Sequence, residues 1–425
     1  MNIPIITITG TKGKTTTSYL VAEVLQALGR DVLRVDTTGH YLNGKQRSTL
    51  SDSKQIWGLV PSVSPGRFLY EFITQPKLQA KGVAVLEASL GSSALPGMGY
   101  RSHDVGVFLN VFSDHLGSSS RLQSRADIAD AKQFIFEKLE RGGWAVANVD
   151  DELVAAKLDI VPSHLDIKIL PCGLNFNHFD LAKHLASRQL ALSVKDDKIV
   201  LLEKSKSTEL VDLTKIAWTF NASYMPSVWN VLMAVAAVYA LIDGKWTPKV
   251  RQAFEAVRLN PYGGRITVLK AANGATIISD YAHETVSLTE IAKLARTLVG
   301  PKGEVIGVVR LANDRTNELI RETGKGLAQA YDRCIVYDKI DGHFRKPRAA
   351  VRSLKFPESV GRVSEILAPA IAEHGGQVER ILREDKALER AAEIAGPNDV
   401  VVHIVNDDVQ RSIGFVKKYF KAEFV

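Results

Sequence analysis

The sequence predicts an α/β protein with a mostly parallel sheet in its first part and a Rossmann-like α/β domain in its C-terminal part. Short apolar, β-branched segments alternate with segments of helical periodicity from the start, which is the pattern of a largely parallel sheet. The same alternation begins again after a linker-like segment, Asn260–Gly264. A chain of 425 residues is also too long for one ordinary core. We therefore predict two domains, 1–259 and 260–425.

The predicted elements follow from this alternation. In the first domain, strands are expected over Ile3–Ile8, Asp31–Val35, Gly82–Leu86, Val105–Val111, Trp144–Asn148 and Ile167–Pro171. Helices are expected over Ser18–Leu28, Ile128–Leu139 and about Val228–Leu241, and a hairpin over Gln189–Leu202. In the second domain, strands over Thr276–Ser279, Val305–Val309, Arg333–Tyr337 and Asp399–Val405 alternate with helices over Val286–Leu298, Asn317–Ala330 and Ala387–Ile394.

Composition narrows the class of protein. Hydrophobic residues make up 45% and charged residues 24% of the chain, as in soluble globular proteins. The net charge of +7 is scattered, so we expect no nucleic-acid partner. No apolar run approaches the roughly 18 residues of a membrane span, and the first strand leaves no room for a signal peptide, so a cytoplasmic location is expected. The two cysteines, Cys172 and Cys334, lack metal spacing and are expected to be buried.

A phosphate-binding loop is the strongest functional signal. The residues after the first strand are Gly10, Thr11, Lys12, Gly13, Lys14, Thr15 and Thr16, and a helix-compatible segment follows. Glycines let backbone N–H groups approach phosphates, a helix N-terminus favours negative charge, and the hydroxyl after the lysine can hold Mg²⁺. The strict P-loop has a further glycine where this chain has Ile8, so the loop is a compact variant. It predicts nucleotide binding.

Three further polar groups follow predicted strands. Glu87 ends one strand, Asp114-His115 follows the next, and Asp280-Tyr281-Ala282-His283 begins after the first strand of the second domain. Ligands of open α/β sheets bind outside the carboxyl ends of the strands. Glu87 can hold Mg²⁺ there, and His115 can serve as a metal or phosphate-side ligand. Each group taken alone is also compatible with a solvated strand end, a loop histidine or a capping aspartate.

Taken together and in order, these segments resemble the Mur ligases along essentially the whole chain. The matching landmarks are Gly10–Thr16, Glu87, Asn110–Leu116, Lys132, Ala147–Asp151, Asn230, Gly264-Arg265 and Asp280–His283. Within that family the chain is most similar to the C-terminal ligase module of cyanophycin synthetases, on the segments Thr37–Gly44, Gly97–Val107 and Asp314–Glu322. The printed chain carries no ATP-grasp module before it, so we expect a stand-alone ligase module.

The resemblance implies a set of roles. Mur ligases use ATP to activate a carboxylate as an acyl phosphate, which an amine then attacks. Lys14 would stabilise the transferring phosphoryl group, Thr15 and Glu87 would hold one Mg²⁺, and His115 would hold a second. Lys132 matches a lysine that many members carbamylate, and the carbamate would help to hold the second Mg²⁺; a plain surface lysine is the alternative.

The remaining implied roles concern the nucleotide. Asn230 would contact the adenine, Arg265 the phosphate from the interdomain hinge, and Asp280 the ribose, with His283 close by. Closure of the C-terminal domain would bring hinge and cleft residues together.

Three departures from the family pattern stand out. Lys12 occupies the place of an asparagine, and Glu284-Thr285 replaces the usual Asn-Pro. Leu311-Ala312-Asn313 replaces a run of small residues and glycine where the incoming amine would be presented. The first two changes alter only the rim of the nucleotide site, whereas the third leaves the identity of the amine open.

The leading hypothesis is an ATP-dependent, ADP-forming ligase that joins an amino acid or amine to a carboxylate of a peptide-like acceptor. Arginine addition to an aspartate side chain is the version that the resemblance suggests. A nucleotide-binding subunit that acts only with a partner enzyme is the alternative, and a P-loop kinase or NTPase switch is a third. ATP and Mg²⁺ are the expected cofactors, no membrane partner is expected, and assembly into a homo-oligomer is left open.

Overall fold

Two α/β units, Met1–Val257 and Arg258–Val425, make up the chain. The computed structural model describes residues 3–93, 97–113, 121–260, 263, 265–313, 315–338, 361–406 and 408–425. In the first unit the described strands are β1 (Ile5–Thr9), β2 (Asp31–Asp36), β3 (Gly39–Leu42), β4 (Lys45–Thr49), β5 (Gly82–Glu87), β6 (His103–Phe108), β7 (Leu139–Asn148), β8 (Lys168–Cys172), β9 (Ala191–Lys195), β10 (Lys198–Glu203) and β11 (Lys206–Asp212).

The described α-helices of this unit lie between those strands and after them. They are α1 (Lys14–Ala27), α2 (Leu50–Trp57), α3 (Tyr70–Thr74), α4 (Arg125–Lys132), α5 (Phe134–Glu137), α6 (Glu152–Ala156), α7 (Leu181–Ala186), α8 (Met225–Leu241) and α9 (Pro248–Ala256).

The strands of the first unit form one sheet in the order β11-β10-β9-β8-β7-β6-β1-β5-β2-β3-β4. Neighbours from β2 through β9 in this order are parallel, and the strands at both ends add antiparallel pairs. The apolar helix α8 packs on α1 and on β6, β7 and β8, and it is buried on most sides, which explains its nearly continuous apolar sequence. The predicted mostly parallel sheet is confirmed.

The second unit repeats the alternation on a smaller scale. Its described strands are β12 (Thr267–Lys270), β13 (Thr276–Asp280), β14 (Val305–Val309), β15 (Arg333–Val336), β16 (Gln377–Arg380), β17 (Val400–Ile404) and β18 (Glu423–Phe424). Its described helices are α10 (Thr285–Leu298), α11 (Asn317–Ala330), α12 (Arg362–Glu373), α13 (Glu384–Ile394) and α14 (Val409–Phe420). The sheet order is β16-β15-β14-β17-β13-β12-β18, parallel from β16 to β13, as expected for a Rossmann-like domain.

One predicted helix is wrong at its C-terminal end. The helix expected to run from Ile128 to Leu139 ends at Lys132, and a separate short helix, α5, follows. Leu139 belongs instead to β7, where it pairs with His103 of β6. Pairing with the neighbouring strand outweighs the helical periodicity of the sequence, because strand register is decided by partners far away in the chain.

The burial of the two cysteines agrees with the expectation from the sequence. Cys172 and Cys334 are both buried and form no disulfide, and burial raises the pKa of both thiols, that of Cys334 to about 12. Among the described residues, no helix combines the length and apolar character that crossing a membrane would require.

A histidine of the first unit is buried with one ring nitrogen lacking a hydrogen-bond partner in the described structure. The ring of His103 is fully buried, and its Nε2 donates a hydrogen bond to the Ile135 carbonyl at 2.8 Å. Its Nδ1 is buried and has no hydrogen-bond partner in the described structure. Burial disfavours the charged ring and lowers the pKa of His103 to about 4.

We predict that His103 reduces stability on acidification. Its folded-state pKa of about 4 lies below the ordinary value of 6.5, so the unfolded chain binds more protons between these pH values. Its contribution is therefore complete above about pH 7 and is lost as the pH falls, by about 2 kcal/mol between pH 7.5 and pH 5. Urea unfolding followed by tryptophan fluorescence measures this, since all five tryptophans precede residue 258. His103→Gln should lose that much less stability over this range, and an equal loss in both proteins would contradict the assignment.

Two glycines flank helix α1 in the same backbone conformation. Gly13 at its N-cap and Gly29 beyond its C-terminus both have φ of +85°. A Cβ at Gly29 would meet nothing within 4 Å, whereas a Cβ at Gly13 would lie 2.3 Å from Oδ1 of Asn230. That oxygen accepts a hydrogen bond from the Thr17 hydroxyl at 3.4 Å. The two positions thus share backbone strain and differ in contact.

We predict that Gly13→Ala destabilises the first unit more than Gly29→Ala does. The left-handed conformation costs an alanine about 1 kcal/mol at either position. At Gly13 the Asn230 side chain must also move and give up its bond with Thr17, for about 1 kcal/mol more. Urea unfolding of both variants tests the difference. In an Asn230→Ala background the extra cost of Gly13→Ala should disappear, and its persistence there would show that Asn230 is not its source.

Candidate nucleotide and metal site

The loop between β1 and α1 is held by the end of the neighbouring strand β6. The side-chain oxygen of Asn110 accepts hydrogen bonds from the backbone N–H groups of Thr11 (3.1 Å) and Lys12 (2.8 Å), and its amide donates to the Lys12 carbonyl (3.1 Å). A Cβ at Gly10 would lie 2.8 Å from the Cβ of Leu109, so only glycine allows this approach. Asn110 was part of the family resemblance but was not predicted as a site residue.

The remaining loop residues enter the helix. The Lys14 ammonium donates to the Thr11 carbonyl at 3.0 Å, so it lies against the loop itself. Thr16 is buried. Asn230, on α8, lies directly behind Gly13 and contacts Thr17. The structure therefore brings Asn230 to the loop, while its contact with adenine stays a prediction.

Thr15 and Glu87 meet at the carboxyl edge of the sheet. Parallel pairing of β1 with β5 places Ile8 beside Glu87, and Thr15 follows the loop in the first turn of α1. The Thr15 hydroxyl donates to Oε2 of Glu87 at 2.8 Å, and the carboxylate is only 1% exposed. Glu87 also accepts bonds from Thr37, a residue that was not predicted as part of the site.

Lys132 points into the protein. It is the last residue of α4 and is 3% exposed, and its Nζ lies 3.5 Å from the Thr9 hydroxyl oxygen. Thr9 in turn donates to the carbonyl of Ala88, the residue after Glu87. The surface-lysine alternative is therefore wrong. His115, the other predicted metal-side residue, lies outside the described residues, as does Asp114.

A buried ion pair lies beside the carboxylate. Asp36 at the end of β2 is fully buried and contacts Arg34 at 3.1 Å. Burial raises the pKa of Asp36, Arg34 opposes this shift, and Glu87 adds to it. Arg34 lies over the ring of Tyr41, with 4.0 Å from its guanidinium carbon to the ring centroid. The arginine thus compensates negative charge next to Glu87.

The second unit gathers its predicted residues around Tyr281. Asp280 is buried, and its Oδ2 accepts the Ile266 N–H at 2.9 Å. Arg265 lies over the Tyr281 ring at 5.7 Å, and the ring of His283 lies 5.5 Å from that of Tyr281. Nδ1 of His283 is 2.8 Å from the Tyr281 carbonyl. Arg265, Asp280 and His283 are thus neighbours within this unit. Gly264, which precedes Arg265 in the chain, lies outside the described residues.

The donor set near Thr15 suits a hard divalent cation. The described groups are a hydroxyl and a buried carboxylate, both oxygen ligands of the kind Mg²⁺ prefers. Among the described residues, no three histidine, cysteine, aspartate or glutamate side chains cluster as they would around a metal ion.

Comparison with known proteins identifies the family. The Mur ligase middle domain model matches residues 8–238, and the model of the Mur ligase, glutamate ligase domain, matches residues 264–404. A folylpolyglutamate synthase/dihydrofolate synthase structure from Yersinia pestis, complexed with AMPPNP and Mn, superimposes with a TM-score of 0.62 at 18% identity. It covers 97% of this chain and 88% of that chain, which shows a shared fold.

Sequence relatives extend over nearly all of the chain. A cyanophycin synthetase of Synechocystis sp. is 27% identical over 423 residues, which are 98% of this chain but 44% of that protein. The UDP-N-acetylmuramoyl-L-alanyl-D-glutamate–2,6-diaminopimelate ligase of Phocaeicola vulgatus is 23% identical, covering 94% of this chain and 72% of that protein. The chain thus spans less than half the length of the cyanophycin synthetase. On the two matching domains, which cover more than half of its residues, the chain belongs to the Mur ligase family.

Proposed function

We propose that this chain is an ATP-dependent, ADP-forming ligase that joins an amino acid or amine to a carboxylate of a peptide-like acceptor. The observation that carries the proposal is the contact of the Thr15 hydroxyl with the buried Glu87 carboxylate, directly beside the glycine loop. A phosphate-binding loop, an oxygen-ligand pair and a buried lysine then lie at one edge of the sheet. This grouping suits the transfer of a phosphoryl group from ATP to a carboxylate.

The chain's own residues divide this work. Glycines and backbone N–H groups of the loop bind phosphate, held in place by Asn110. Lys14 brings a positive charge to the phosphoryl group as it transfers, which favours the transition state over bound ATP. The acceptor carboxylate attacks the γ-phosphorus and ADP leaves, and the amine then attacks the resulting acyl phosphate and displaces phosphate. For Asn230, Arg265, Asp280 and His283 we propose the nucleotide contacts that the family resemblance implies.

We propose that Thr15 and Glu87 hold Mg²⁺, with His115 and a carbamylated Lys132 serving a second ion. The cation would supply charge neutralisation on the phosphates and on the acceptor carboxylate. Burial of Lys132 supports this assignment, because a carbamate on this side chain would be an anion inside the protein, where a cation could compensate its charge. The Yersinia pestis structure, with AMPPNP and Mn, is a precedent within the fold.

The substrates are proposed at the level of chemical class. The chain is 27% identical to a cyanophycin synthetase, so arginine addition to an aspartate side chain is the first pair to test. The Leu311-Ala312-Asn313 departure begins two residues after the last residue of β14, at the edge where parallel strands of the second unit end. A different amine therefore belongs in the same screen.

We predict that ADP formation requires both substrates. The acyl phosphate can form only on the acceptor carboxylate, and only the amine completes turnover. Aspartate-containing peptides supplied with single amino acids, followed by phosphate release and by a mass gain on the peptide, test this. Full-rate ATP hydrolysis without either substrate would favour the NTPase-switch hypothesis.

We predict that Lys14→Ala lowers turnover roughly 10³-fold through the loss of one charge at the transferring phosphate. The urea unfolding of this variant should stay close to that of the parent protein.

We predict that Lys132→Ala loses activity and partly regains it with added acetate or formate. A short carboxylate can enter the space of the removed side chain and replace the negative charge of the carbamate. Rates measured with and without carboxylate at constant ionic strength test this. Lys138→Ala is the matched control, because Lys138 is exposed and six residues further along. Parental activity in Lys132→Ala, or equal stimulation of both variants by carboxylate, would contradict the role.

A further inference from the structure

We propose that Thr37 is a positioning residue, which orients the Glu87 carboxylate for the divalent cation. The inference rests on the function proposed above and concerns a residue for which no role was predicted. It follows from the way in which each oxygen of the carboxylate is held.

Thr37 contacts both oxygens of Glu87. Its hydroxyl donates to Oε1 at 2.8 Å, and its backbone N–H donates to Oε2 at 3.2 Å. Thr15 donates only to Oε2, at 2.8 Å. Two donors from one residue fix the rotation of the carboxylate plane, which a single donor cannot do. Thr15 is itself proposed as a cation ligand, whereas Thr37 contacts Glu87 without being a proposed ligand.

The backbone of Thr37 is held by its neighbours in sequence. Oδ1 of Asp36 accepts hydrogen bonds from the backbone N–H (2.8 Å) and from the hydroxyl (2.5 Å) of Thr38. Its Oδ2 faces Arg34 at 3.1 Å. The bonds between Asp36 and Thr38 thus form a tight turn with Thr37 in the middle. In this turn the N–H and the hydroxyl of Thr37 both point at the carboxylate of Glu87.

A second hydroxyl extends the chain of hydrogen bonds. The oxygens of Ser62 and Thr37 are 3.2 Å apart. Because the Thr37 hydroxyl donates to Glu87, the Ser62 hydroxyl is the donor to Thr37. When Ser62 donates to Thr37 and Thr37 donates to Glu87, each hydroxyl is polarised toward its acceptor, which strengthens the hydrogen bond to the Glu87 carboxylate. Ser62 is 1% exposed, so water does not compete for this bond.

These contacts would orient a metal ligand from outside the coordination shell. Partners that hold a metal-binding side chain typically change metal affinity by about 10-fold to 100-fold when they are removed. A purely structural hydrogen bond would instead alter unfolding and leave cation affinity unchanged. The two roles therefore differ in a quantity that does not depend on turnover.

The experiment measures Mn²⁺ affinity in the presence of AMPPNP, from the EPR signal of free Mn²⁺ corrected for the Mn²⁺ that the same concentration of AMPPNP binds without protein. Thr37→Val removes the hydroxyl at nearly constant volume and should raise the Mn²⁺ dissociation constant about tenfold. Thr37→Ser keeps the donor and should remain within about twofold of the parent protein. Thr7→Val is the matched control, since Thr7 is a buried threonine on β1 whose hydroxyl contacts Tyr100. It should leave the Mn²⁺ affinity unchanged whatever it does to stability.

The outcomes separate the inference from the function on which it rests. Equal Mn²⁺ affinity in Thr37→Val and the parent protein overturns the role of Thr37 and leaves the proposed function standing. Absence of Mn²⁺ binding in the parent protein with AMPPNP overturns the proposed function and the inference together. A loss in Thr37→Ser as large as in Thr37→Val assigns the effect to packing and also overturns the role. If Thr37→Val does not fold, Thr37→Ala at this half-buried position gives the same comparison.

Discussion

Parallel pairing of β1 with β5 is the constraint on which the rest of the candidate site depends. The pairing sets Ile8 level with Glu87, so the loop that leaves β1 passes directly over the carboxylate that ends β5. β6 pairs with the other side of β1 and brings Asn110 against the same loop. Because parallel strands end at a common edge, side chains from distant parts of the sequence meet there without a long connection.

Threonine and serine hydroxyls make many of the side-chain hydrogen bonds at this edge of the sheet. Thr15 and Thr37 donate hydrogen bonds to the carboxylate of Glu87. The Thr9 hydroxyl contacts Lys132 and donates to the carbonyl of Ala88, the residue after Glu87. Hydroxyls suit this purpose because they both donate and accept and because they are small enough for a tight loop. Each of these hydrogen bonds replaces one that the carboxylate makes with water in the unfolded chain, which offsets part of the cost of burying it.

The two units differ in what their sequence patterns specify. In the first unit the glycine loop and the acid at a strand end are local signals, so Gly13, Thr15 and Glu87 could be predicted from short segments. The strand ends of the second unit carry Arg265, Asp280 and His283 around Tyr281, and their grouping was expected from the family resemblance rather than from any local pattern. Leu311-Ala312-Asn313 departs from that resemblance, which is why the class of reaction is better defined than the amine.

The sequence by itself determined the alternation of strands and helices, the glycine loop after β1 and the acid at the end of β5, because each depends on neighbours within one turn or one strand. Tertiary structure alone decided that Leu139 joins β7 and that Lys132 is buried, because both depend on strands more than 30 residues away. It also decided that Asn110 accepts hydrogen bonds from the loop, that Asn230 lies against Gly13 and that Thr37 donates to Glu87. No spacing in the sequence indicates these pairs, since the order of strands in the sheet, and not the order of residues, brings them together.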